Sequence, residues 1–95
     1  MNIKDKHEYD KGLSAKLLFE AKEGRVTSLQ IKRGHVLNDH RSRVPALLIC
    51  IEGTVIYEDE KNHSKTLLKG DFQEIEAMLL HRVSALSDGQ LLLIK

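Results

Sequence analysis

Turn-forming residues punctuate this chain at short, nearly regular intervals, and that rhythm limits the fold more than any other feature. Breaks fall at Gly12, Gly24, Gly34, the Asn38 to Pro45 stretch, Gly53, the Asp59 to Asn62 cluster, Gly70 and Gly89. Most are separated by about 8–12 residues, which leaves room for strands and little for helices. Between them lie segments rich in β-favouring residues, at 25–32, 46–52, 54–58 and 90–94. The run from Ala46 to Ile51 is apolar at successive positions. Both faces of such a strand need cover, so a central, covered place is expected for it.

Two segments carry the opposite signal. Leu13 to Lys22 contains strong helix formers, and Ile75, Leu79, Val83 and Leu86 recur near helical spacing. The second is read as strands on the motif evidence below. For 13–22, strand and helix both stay open. The charged cluster Glu58, Asp59, Glu60, Lys61 and Asn62 reads as a solvated hairpin loop with no binding role.

A chain of 95 residues, 41% apolar and 31% charged, has the balance of one folded domain, taken here as 1–95 with 1–12 as an N-terminal arm. Fifteen basic residues against fourteen acidic leave a net charge of +1, with no Lys or Arg run suited to nucleic acid, so no such partner is expected. The charged first ten residues lack the apolar stretch of a signal peptide, and no apolar run approaches the ~20 residues that span a bilayer. No membrane partner and a cytoplasmic location are the expectation. Cys50 is the single cysteine, so no internal disulfide forms, and a small buried apolar role is assigned to it.

The middle of the chain reads Gly34-His35-Val36-Leu37-Asn38-Asp39-His40-Arg41-Ser42 and then, past Pro45, Ala46 through Gly53. It resembles the first motif of the cupin superfamily, where a glycine, a His-x-His pair, a glutamate and a second glycine stand at fixed intervals. Gly34, His40 and Gly53 hold their places, while Ser42 stands at the second histidine and Ala46 at the glutamate. Gly70 to Ala85 resembles the second motif through Gly70 and His81, with Glu76, Met78 and Ala85 at positions where the family carries proline, glycine and asparagine. The likeness covers about 25–95 and includes the phrases EGTVIY, LLKGDF and HRVSAL.

The resemblance implies an all-β fold, a double-stranded β-helix or jelly-roll barrel, with His40 and His81 directed inward from facing walls. By strand parity Ser42, Ala46, Leu48 and Cys50 would share the face of His40, and Val83 and Ala85 that of His81. Leu47, Ile49 and Ile51 would face outward and invite a homodimer. Arg41 and Arg43 alternate with His40 and Ser42, so they are expected to meet solvent or a partner subunit. His7, His35 and His63 carry no spacing argument and receive no role.

A non-haem iron or manganese centre needs at least three protein ligands, and this chain supplies His40 and His81 at family positions. Glu74, Glu76, Cys50 and His35 are the residues from which a third would come, and no motif places any of them. No cofactor is therefore expected beyond a weakly held divalent transition metal. The function that follows is non-catalytic binding of a small, partly apolar molecule, in an accessory or sensing role. Its pocket would be lined by His40, Ser42, Ala46, Leu48, Met78, His81 and Val83. The alternatives are a metal-dependent isomerase or dioxygenase with a reduced ligand set, and a structural or protein-binding domain. No Ser-His-Asp order, phosphate-binding glycine loop or zinc spacing occurs.

Overall fold

The computed structural model of the chain describes residues 1–8 and 10–95. Its strands are β1 (Leu13–Ala21), β2 (Gly24–Ile31), β3 (Val36–His40), β4 (Ala46–Glu52), β5 (Val55–Asp59), β6 (Ser64–Leu67), β7 (Phe72–Ile75), β8 (His81–Ala85) and β9 (Gly89–Ile94). One turn of 3-10 helix, Ile3–Lys6, precedes them. The strands form two antiparallel sheets, ordered β1-β2-β9-β4-β7 and β3-β8-β5-β6. In each, a late strand is inserted between two early ones, which is jelly-roll connectivity. Among the described residues no helix is long and apolar enough to cross a membrane.

Of residues 13–22, all but Lys22 resolve as strand. β1 pairs with β2 in the register Leu13↔Ile31 and Ala15↔Leu29, with a bulge between Leu17 and Phe19. Ladder hydrogen bonds along β2 outweigh helix propensities of a few tenths of a kcal/mol per residue. The helix-spaced set is likewise broken up, as Ile75 closes β7, Val83 sits within β8 and Leu86 is exposed. Met78, between them, has φ +64, a left-handed conformation that no α-helix admits.

The core lies between the sheets and contains Leu48, Val55, Tyr57, Leu67, Ile75, Val83 and Leu91, each at most 2% exposed. Burying such a side chain contributes about 1.5–3 kcal/mol relative to leaving it in water. In β4 the alternation is as parity demands, with Ala46, Leu48 and Cys50 buried and Leu47, Ile49 and Ile51 half-buried. The expectation that β4 is covered on both faces is corrected. β4 lies between β9 and the edge strand β7, and among the described residues the two sheets leave no third layer over its outer face.

The arm also departs from expectation at His7. Its Nδ1 lies 2.8 Å from Ser14 Oγ and its Nε2 2.8 Å from Ser28 Oγ. Both serines point away from the core, Ser28 alternating with the buried Leu29, yet both are buried. The imidazole therefore pins the arm over the outer face of β1 and β2, helped by the Lys4–Glu52 ion pair. His7 is structural rather than incidental. The expectation for His35 is qualified too, since its ring lies over Gly12, where a Cβ would collide with it.

Gly53 closes the β4–β5 connection with φ +88, and a Cβ there would meet the backbone of Asp88 and Gly89. Gly70 has a similar φ, +90, but open space around it. Gly70→Ala is thus expected to cost about 1 kcal/mol of strain, and Gly53→Ala about 3 kcal/mol or more from strain plus collision. Denaturant titration of the two variants checks this, and equal losses would refute the backbone contact.

Candidate functional site

β3 and β8 are neighbours in the smaller sheet, and their register sets His40 directly opposite His81. Val83 and Ala85 alternate with Arg82 and Ser84 and are buried, so His81, in the same parity, faces the interior. His40 reaches that face through a bulge. The pairs Leu37↔Val83 and His40↔His81 leave Asn38 and Asp39 opposite the single residue Arg82. In an unbroken strand a residue three positions from Leu37 would point outward; the extra residue turns His40 inward. The rings meet edge to face with centroids 5.5 Å apart and an interplanar angle of 86°. The expectation of two facing walls is corrected: the imidazoles stand side by side on one wall.

Their surroundings differ. His81 is 5% exposed, and its Nδ1 donates to the Leu79 carbonyl at 3.0 Å. A carbonyl only accepts, so Nδ1 carries the proton and the Nε2 lone pair of the neutral ring is left open. Among the described residues no protein group hydrogen-bonds to Nε2. His40 is exposed at the strand end. Burial, then the positive potential of His81 and Lys95, holds its pKa below the ordinary histidine value.

Behind His81 lies a buried pair that sequence reasoning missed. Tyr57 stacks on the His81 ring with centroids 5.9 Å apart and is itself fully buried. Its hydroxyl donates to Asp59 Oδ2 at 2.9 Å. The Asp59 side chain is 1% exposed and also accepts from the backbone N–H of Lys61 and of His63, and from His63 Nδ1. Burial opposes ionisation of Asp59, yet these hydrogen bonds outweigh it and keep the carboxyl below its ordinary range. Burial, reinforced by Asp59, pushes the Tyr57 phenol upward. The loop expected to be merely solvated thus anchors the site. The signal was available, because the alternation of Val55, Tyr57 and Asp59 puts all three on one face.

The other expected pocket residues do not gather around these rings. Ser42 lies past the end of β3, so parity does not align it with His40; it is buried, with its carbonyl accepting from Met78 N at 2.6 Å and its hydroxyl from Val44 N at 3.3 Å. Ala46, Leu48 and Val83 are packed into the core. Met78 is 53% exposed, held outward by its left-handed backbone. Surface clefts divide the set. One of about 340 Å³ reaches His81, another of about 510 Å³ reaches Ser42, and a third of about 660 Å³ reaches Ala46.

A metal centre does not fit this donor set. Among the described residues no three of His, Cys, Asp and Glu come together as an ion requires. Glu74 lies opposite Leu47 on the outer face, and Glu76 is bound by Lys61 at 2.7 Å. Cys50 Sγ contacts the carbonyls of Glu52 and Gly53, and burial raises its pKa. His35 is spent on Gly12.

No protein-family model matches the chain, and no curated protein matches it. Solved structures do. A cupin superfamily protein from Desulfitobacterium hafniense superposes with a TM-score of 0.86 at 11% identity, covering 98% of this chain and 84% of its own. A cupin-2 domain containing protein from Shewanella frigidimarina gives 0.81 at 18%, covering 100% and 92%. An RmlC-like cupin family protein with a double-stranded β-helix fold, from Methanocaldococcus jannaschii, gives 0.79 at 14%, covering 94% and 84%.

The pKa of His40 measured by NMR is expected below the ordinary histidine value, and His81→Gln should move it upward by removing a second ionisable imidazole beside it. The unfolded chain binds that proton more tightly, so stability declines as pH falls through the ordinary value. A His40 that titrates identically with and without His81 would contradict the coupling.

Proposed function

We propose, from a chain with the cupin fold, a non-catalytic module that holds a small, partly apolar molecule at the open end of its barrel. The observation that carries this reading is the open Nε2 of His81 beside His40, backed by the buried Tyr57 and Asp59. A ring nitrogen that no described group engages, on a side chain only 5% exposed, can accept from a ligand that donates to it. An apolar counterpart lies on β1. Leu17 lies on the core-facing side of that strand by register, yet remains 49% exposed. The interior is filled with side chains, so the ligand occupies the rim and not a deep cavity.

Thermal melting across a panel of small hydrogen-bond donors tests this. A binder at ten times its Kd adds about 1.4 kcal/mol, or about 6–11 °C in a domain of this size. His81→Gln should abolish the gain. Zinc or nickel should bind only weakly, and a chelator should leave the melting temperature unchanged. Stoichiometric iron or manganese that survives chelation would replace this reading with a metal-dependent enzyme.

The module acts as a homodimer in this proposal. Ile49 pairs with Leu92, Leu47 with Ile94 and Ile49 with the 55% exposed Phe72, which makes a continuous apolar outer face. A cytoplasmic location belongs to the same reading, because the buried free thiol of Cys50 needs no oxidising compartment. Light scattering at about tens of micromolar should give twice the chain mass, and Ile49→Lys should restore the monomer. A monomeric parent would count against the dimer.

A further inference from the structure

Basic residues that are scattered along the chain converge on one cleft. The cleft of about 510 Å³ lies between the β1–β2 turn, the β3–β4 loop and Lys95. Lys22, Arg25, Arg41, Arg43 and Lys95 line it, against the carboxylates of Glu20 and Glu23. Glu20 engages Arg25 at 3.5 Å, while Arg41 reaches away to Glu60 at 3.4 Å. Lys22, Arg43 and Lys95 form no ion pair among the described residues. Three cations thus face one concavity with only the carboxylate of Glu23, unpaired among the described residues, against them.

The strand order explains the convergence. Lys95 is tied to Arg25 by reciprocal backbone hydrogen bonds, Arg25 N to Lys95 O at 2.7 Å and Lys95 N to Arg25 O at 3.1 Å. The β3–β4 loop begins at Arg41, directly after His40. The charge of Lys95 is felt at the His40 ring. The basic cleft and the histidine pair are therefore adjacent parts of one rim.

We propose that this cleft is an oxyanion subsite, taking a carboxylate or phosphate group carried by the molecule held at His40 and His81. The inference rests on the rim reading in one respect, that both groups belong to one ligand. The chemistry is that of guanidinium and ammonium groups converging on a small anion, Arg43 offering a planar pair of donors and the lysines point charges. Concentrated positive potential in a concave site attracts an anion more strongly than the same charges spread over a convex surface. A polar head against the cleft and an apolar body against Leu17 would satisfy both ends of one small amphiphilic acid.

Inorganic phosphate and acetate, titrated separately into the intact chain and followed by amide NMR shifts, test the subsite and separate the two anion types. Shifts centred on residues 21–25, 41–44 and 95 are expected, with affinity falling about tenfold in Arg43→Gln/Lys95→Gln and falling again at high salt. Lys69→Gln, which removes a charge elsewhere, should leave affinity unchanged. Shifts scattered over all lysines and arginines, or an unaltered affinity in the double variant, would overturn the proposal. If a neutral ligand stabilises the chain through His81 while neither anion binds, the subsite alone fails. If anions bind the cleft while no ligand depends on His81, the rim reading fails and the oxyanion site stands by itself.

Discussion

The insertion of β9 between β2 and β4 is the pairing on which the larger sheet depends. Without it the sheet separates into the β1–β2 hairpin and the β4–β7 pair, neither of which buries enough apolar surface to persist. The register Leu29↔Leu91 and Cys50↔Leu91 brings three segments distant in sequence onto one buried layer. A shift of one residue would exchange Leu91 and Leu93 for Gln90 and Leu92 and put an amide into the core. Parity between β9 and its neighbours is thus as important to the fold as the apolar content of any strand.

The smaller sheet repeats the device, with β8 between β3 and β5, and there it makes the site. β8 receives His40 from one side and Asp59 from the other, each directly opposite His81. One imidazole is thereby placed between a histidine exposed at the strand end and a buried carboxylate–phenol pair. Its proton is fixed by the Leu79 carbonyl, not by a charge. The site is defined by backbone register first and by side-chain chemistry second.

Much of this was legible in the residues. The glycines mark the strand breaks, and Gly53 and Gly70 have the positive φ that turns of this kind demand. The bounds 46–52 coincide with β4, and alternation separates Leu48 from Ile49 correctly. His81 was found through its motif spacing. What escaped depends on pairing between distant segments. The bulge at Asn38–Asp39 exists only relative to β8, and because β3 ends at His40, parity carried on beyond it misplaced Ser42. Asp59 resembles a solvated loop residue until Tyr57 is set beneath it, and His7 resembles an incidental residue until Ser14 and Ser28 are set beside it. The basic cleft is assembled from residues separated by most of the chain, which no run of charge reveals.

The bulge in β1 bears on how this molecule behaves in a crowd. β1 is the outer strand of its sheet, with Leu17, Leu18 and Phe19 exposed along it. Such an edge offers unpaired amides and carbonyls to any other chain that is flat and in phase with it. The break in spacing between Leu17 and Phe19 puts the two halves of the edge out of phase and twists them apart. An incoming strand can match one half or the other, not both. The irregularity lets the barrel keep an apolar, uncovered rim strand without becoming a template for fibrous growth.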